Sequence, residues 1–194
     1  LISDPTLSTL PLWSPDGSSI IFKGDAARGV VRWLVAGKGA EEQLSADNFD
    51  PNSYSPDGRY IIYTILNPTT NRDIGVLPLF GDRKPFPFLD AEFNESQGQF
   101  SPDGTWMAYV SDESGNSQIY VQSFPVLTAK WQISRDGGSQ PRWRRDGTEL
   151  FYVAPDRKLM AVTVKTGGRF EAEAPRALFE TTLPAVAPRQ TYAV

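Results

Sequence analysis

Apolar residues along this chain fall in short runs of three to five, each bounded by Gly, Pro, Asp or Ser. Four of the runs share one position after a tight-turn signal: Ile20-Ile21-Phe22, Ile61-Ile62-Tyr63, Met107-Ala108-Tyr109 and Leu150-Phe151-Tyr152. Runs this short, rich in β-branched and aromatic residues and punctuated by turn formers, predict strands. No window keeps a 3.6-residue period, so helices are not expected. Nothing approaches the ~20 apolar residues that a membrane-spanning helix requires, and Leu1 to Leu10 lack the pattern of a signal peptide.

The turn signal itself repeats. Trp13-Ser-Pro-Asp-Gly17, Tyr54-Ser-Pro-Asp-Gly58, Phe100-Ser-Pro-Asp-Gly104 and Trp143-Arg-Arg-Asp-Gly147 align, with their Asp residues 41, 46 and 43 positions apart. That period suits blades of four strands, at roughly 40–50 residues each. Pro sets φ at the second turn position, Asp bonds nearby amides, and Gly accepts φ > 0. Asp16, Gly17, Asp57, Gly58, Asp103, Gly104, Asp146 and Gly147 are therefore read as structural turn residues, each joining an inner strand A to strand B. Strand C is expected at Val30–Val35, Ile74–Leu79, Gln118–Phe124 and Leu159–Val164. Strand D is expected near 42–44, 85–89, 130–133 and 176–180.

The expected fold is all-β: a propeller of four-stranded antiparallel blades, four of them present and part of a larger ring. Blade 1 spans about 11–45, blade 2 about 51–89, blade 3 about 97–133 and blade 4 about 140–180. Residues 1–2 and 190–194 fall where neighbouring blades would leave remnants, and the start at Leu1 suggests a piece of a longer chain. Trp13, Tyr54, Phe100 and Trp143 on strand A, with Phe22, Tyr63, Tyr109 and Tyr152 on strand B, are expected to pack between blades. Open blade edges carry unpaired backbone groups, so a homodimer through those edges is also expected.

Composition narrows the chemistry. The 194 residues include no His and no Cys, and the net charge is −4. This excludes Ser-His-Asp and Cys-His nucleophiles, His- or Cys-ligated zinc and disulfides. An acidic balance speaks against nucleic acid. Lack of Cys fits a cytosolic and a periplasmic setting equally, so the compartment stays open.

At this point the repeat resembles the TolB-like, WD-like propeller family, through its aromatic-Ser-Pro-Asp-Gly unit and Gln118-Ile-Tyr-Val121. Asp73-Ile-Gly-Val-Leu-Pro-Leu-Phe-Gly-Asp82, Phe93-Asn-Glu-Ser-Gln-Gly-Gln-Phe-Ser-Pro-Asp103, Ser139-Gln-Pro-Arg-Trp-Arg-Arg-Asp-Gly147 and Ala174-Pro-Arg-Ala-Leu-Phe-Glu180 are similar to the propeller that follows the kinase domain in bacterial eukaryotic-like Ser/Thr protein kinases. Gly75 departs from that pattern, which usually has Trp there. The resemblance implies a non-catalytic sensor or interaction module of a larger bacterial signalling protein. Its partner would be a protein, a peptide or an attached domain of the parent chain. No kinase catalytic loop, phosphate-binding Gly-rich loop or G-x-S-x-G elbow is present. The gating propeller of a prolyl oligopeptidase-type peptidase and a stand-alone periplasmic TolB-like protein are the alternatives.

Ser101-Pro-Asp-Gly-Thr-Trp106 lacks the spacing of a sialidase Asp box. No catalytic residue is assigned and no cofactor is expected. The B–C and D–A loops carry the candidate binding residues Asp47, Asp50, Glu92, Glu95, Asp112, Glu113 and Arg135. Clustered carboxylates at a channel mouth would suit a cationic peptide or Ca²⁺, and a solvated acidic loop face is the plainer reading. Arg142 and Arg144 are expected on one side of their strand, flanking Trp143, as an anion contact or a charged hairpin flank.

Overall fold

The computed structural model describes residues 9–35, 40–185 and 191–192. Residues 1–2 and most of 190–194, expected as blade remnants, lie outside the described residues. No helix occurs among those described, and the fold is all-β. Blade 1 holds β1 (Thr9–Trp13), β2 (Ser19–Lys23), β3 (Val30–Leu34) and β4 (Glu41–Ser45). Blade 2 holds β5 (Asp50–Tyr54), β6 (Tyr60–Asn67), β7 (Asn71–Pro78) and β8 (Phe86–Leu89). Blade 3 holds β9 (Glu95–Phe100), β10 (Trp106–Ser111), β11 (Gln118–Ser123) and β12 (Lys130–Gln132). In blade 4, β13 (Ser139–Trp143), β14 (Glu149–Val153) and β15 (Lys158–Lys165) follow the same order. The outer edge of β15 is shared by β16 (Glu171–Ala172) and β17 (Arg176–Glu180), and every pairing is antiparallel. The two-residue β16 carries too little pattern for sequence reading to find.

Each A–B turn is built alike. Ser14, Ser55 and Ser101 Oγ donate to Asp16, Asp57 and Asp103 Oδ1 at 2.6, 2.5 and 2.6 Å. The same hydroxyls accept the amides of Ser19, Tyr60 and Trp106. The four glycines sit at φ 69°, 69°, 72° and 74°, a region L side chains resist. In blade 4 Arg144 stands in for Ser, and its guanidinium reaches Asp146 at 3.1 Å. Hydrogen bonds led by the Ser14 hydroxyl hold the Asp16 carboxyl down to about 2.

Inner strands meet in the order β1, β5, β9, β13, with one apolar cluster in each seam. Ile21, Phe49, Ile61 and Leu77 fill the first; Ile62, Ile74, Phe100 and Tyr109 the second; Val121, Trp143, Tyr152 and Val162 the third. Phe100 and Trp143 are 6% and 8% exposed, since each packs on the preceding blade. Trp13 does not follow: it is 59% exposed, because among the described residues no sheet precedes blade 1. Phe22, Tyr63, Tyr109 and Tyr152 are all buried.

Gly75, where the resembled pattern has Trp, leaves its seam well filled. A Cβ there would run into the ring of Tyr63, the residue opposite it. The absent side chain lets that ring lie flat and stack on Phe49, with centroids 3.8 Å apart.

Every inner strand carries a bulge. In blades 1, 3 and 4 the residue three before the strand-A aromatic takes positive φ: Leu10 59°, Gln97 59° and Gln140 58°. In blade 2 that position is Pro51, whose ring forbids it. The bulges build a polar relay along the axis. Gln140 N donates to Gln97 Oε1 at 2.7 Å, and Thr191 N donates to Gln140 Oε1 at 2.8 Å. Where Pro51 offers no carboxamide, Gln97 N turns to Thr64 Oγ1 at 3.3 Å. Arg142 joins Gln99 Oε1 at 2.9 Å to the Tyr192 carbonyl at 3.1 Å.

Candidate functional site

A cleft of about 840 Å³ opens where the B–C and D–A loops of blades 2, 3 and 4 converge. Pockets of ~300–1,000 Å³ are the usual size for ligands. Side-chain hydrogen bonds lock each loop that forms it. At the tip of the β6–β7 hairpin, the buried Asp73 accepts Asn67 Nδ2 and Thr70 Oγ1, both at 2.6 Å. Asn71 beside it adopts φ 81°, which Asn tolerates better than most residues. This rigid tip presents Asn71 and Arg72 to the cleft.

The next two loops are tied in the same manner. Asp112, between β10 and β11, accepts Asn94 N at 2.9 Å and Asn94 Nδ2 at 2.7 Å, joining the blade 2–3 connection to blade 3. The buried Gln118 accepts Ser134 Oγ at 2.5 Å and Gly137 N at 3.0 Å. Its Nε2 donates to the Arg135 carbonyl at 2.9 Å. Gly137 takes φ 98°, and a Cβ on it would lie 2.6 Å from Pro155. That loop therefore holds one shape, with the Arg135 side chain exposed at the cleft.

Of the seven candidate residues, Asp112 and Arg135 line the cleft. Glu95, at the start of β9, is only 3% exposed and does not line it. Its Oε2 has no partner, and burial pushes its carboxyl up to about 8, reinforced by the Asp73, Glu113 and Asp112 carboxylates. Glu113 pairs with Lys130 at 2.6 Å. Asp50 pairs with Lys23 at 2.5 Å in the seam of blades 1 and 2. Asp47 closes a local turn with Ser45, and Glu92 is an exposed loop residue. The expected acidic rim is thus dispersed. Among the described residues no three carboxylates gather closely enough to hold a metal ion.

The basic pair flanking Trp143 also separates. Arg142 is turned to the axis, and burial lowers its pKa. Arg144 pairs with Asp146 and with Glu149 at 2.9 Å. What sequence reading did not select is Arg72, which reaches the same cleft as Arg135. Among the described residues, neither guanidinium makes a hydrogen bond or ion pair within the chain, which is also true of Arg145 and Arg157, while Arg32, Arg83, Arg144 and Arg176 meet carboxylates. Two arginines 63 positions apart reach one cleft only through the fan of the blades, which leaves no local signal.

With this geometry established, comparison places the architecture. The chain is similar to TolB from Acinetobacter baumannii, at TM-score 0.69 and 20% identity over 93% of this chain and 45% of that one. A TolB-type protein from Agrobacterium tumefaciens matches at TM-score 0.56 and 17% identity, over 87% of this chain and 81% of that one. The fold is TolB-like. An oligogalacturonate lyase in complex with manganese also matches, at TM-score 0.62 and 12% identity, over 86% of this chain and 53% of its own. No family model matches the chain. A local stretch of 61 residues is 34% identical to tRNA U34 carboxymethyltransferase from two Shewanella strains, over 30% of this chain. It spans 18% of those enzymes, and the chain covers about half the length of the Acinetobacter TolB.

Proposed function

We propose that this chain is a non-catalytic β-propeller module that binds a ligand or a protein segment in the three-blade cleft. The observation that carries this reading is the combination of rigid, side-chain-laced loops with two guanidinium groups left unpaired between them. Such preorganisation lowers the ordering cost of binding. Glu95 has the raised pKa of a proton donor, but it lies behind the cleft wall, where a substrate would not reach it. In the parent protein the module would act as the sensor of a bacterial signalling protein, a Ser/Thr kinase by the likeness of 73–82, 93–103, 139–147 and 174–180.

Thermal-shift titration of the purified chain with a panel of peptides, uronic acids and Ca²⁺ tests the proposal. At least one ligand should raise the melting temperature in a saturable way, while the protein leaves the whole panel chemically unchanged. A flat response to every member would overturn the binding reading, and cleavage of any member would overturn the non-catalytic one.

A further inference from the structure

We infer that the three-blade cleft takes a side-chain carboxylate of an extended acidic peptide, clamped between Arg72 and Arg135. The inference rests on the binding-module reading and names the ligand that the cleft would hold. A guanidinium exposes five N–H donors in a planar fork that matches a carboxylate. Both forks stand at one cleft without an intramolecular partner among the described residues. The loops that carry them are held by Asp73, Asp112 and Gln118, so the cost of arranging the backbone beneath them is met before a ligand arrives.

The rest of the lining decides between anions. Asp112 and Asp136 share the cleft and offset the two positive charges. In a lining whose charges cancel, attraction grows only in proportion to the ligand's charge while its desolvation cost grows with the square, which favours a single carboxylate over a phosphate dianion. Asp112 is already engaged by two N–H groups of Asn94. Asn71 and Asn116 line the same space. An amide both donates and accepts, which is what the backbone of an extended peptide requires. No aromatic ring of the described residues lines the cleft, which removes the flat apolar face on which a sugar ring would stack.

Fluorescence anisotropy on the intact chain tests this with a fluorescein-labelled hexapeptide of alternating Glu and Gly, its Gln counterpart, and succinate as competitor. The acidic peptide should bind about tenfold tighter than the Gln form, the size expected for one charged hydrogen-bonded contact. Added salt should weaken it. Arg72→Gln and Arg135→Gln should each weaken binding by about tenfold without changing the melting temperature. Lys165→Gln, which breaks a surface pair with Glu171, should leave binding unchanged. Equal binding of the two peptides would overturn the carboxylate assignment while leaving the module reading intact. Absence of binding by either peptide, alongside a ligand response in the thermal screen, would overturn it too. Succinate competing as well as the peptide would mark a small-carboxylate site and overturn the peptide half.

Discussion

The strand-A aromatic of blade 4 and that of blade 1 occupy the same place in the repeat and behave in opposite ways. Trp143 lies in the seam with blade 3, its Nε1 donating to the Gln99 carbonyl at 3.1 Å. Trp13 is left open on the outward face of blade 1. A repeat motif thus specifies a contact only together with its neighbour: the ring belongs to the blade that carries it, and its burial belongs to the blade before. The same rule runs through the turns, where Pro15, Pro56 and Pro102 each rest against the glycine of the next turn, Gly58, Gly104 and Gly147.

The strongest way to break this contrast is to truncate both rings. Trp143→Ala should cost about 3–5 kcal/mol, the range for removing a buried aromatic. Trp13→Ala should cost under about 1 kcal/mol, as surface changes do. Urea unfolding midpoints read the difference, and equal losses would show that the outward face of blade 1 is covered in solution. A smaller effect is expected in the seam of blades 1 and 2. Gly75→Ala drives a methyl group into the Tyr63 ring and should cost about 1–3 kcal/mol by overpacking. Loss of the Tyr63–Phe49 stacking in near-ultraviolet circular dichroism would accompany it.

The subtlest effect belongs to Glu95, beside the seam of blades 2 and 3. Its folded pKa lies above the usual 4.5, at about 8, so the folded chain keeps a proton that the unfolded chain releases. The resulting stability is complete below 4.5 and is lost as pH rises through 8. Between about pH 7 and pH 9 the native chain should lose about 1 kcal/mol from this group. Glu95→Gln should flatten that slope and become the more stable form at the alkaline end. Parallel pH profiles for the two proteins would refute the buried-carboxyl account.

The fold was legible because the repeat states it four times, and aromatic, turn and strand recur in one order with little room for another architecture. The axial bulges were not legible. Leu10, Gln97 and Gln140 take a backbone conformation that their side chains do not advertise, and only the Pro51 exception hints that this position differs from its neighbours. The cleft was half legible. Its location on the B–C and D–A loops follows from propeller geometry, and of the seven candidates Asp112 and Arg135 line it. The acidic cluster dissolved because Asp50, Glu113 and Asp47 each found a nearer partner, a choice that depends on inter-blade distances rather than on residue type. Arg72 became a binding candidate only once its hairpin was seen to be fastened by Asp73.

The break in the axial relay has a consequence for how the arc responds to its medium. Blades 2, 3 and 4 are joined near the axis by carboxamide and hydroxyl hydrogen bonds, whereas Leu10 and Pro51 offer neither the side-chain acceptor nor the N–H donor to extend that chain to blade 1. There two ion pairs, Lys23 with Asp50 and Arg83 with Glu42, join a hydroxyl contact between Tyr54 and Ser19. Dissolved salt screens ion pairs and leaves amide contacts largely untouched. Ionic strength therefore acts on this arc unevenly, weakening part of the first joint while the other two keep their tension.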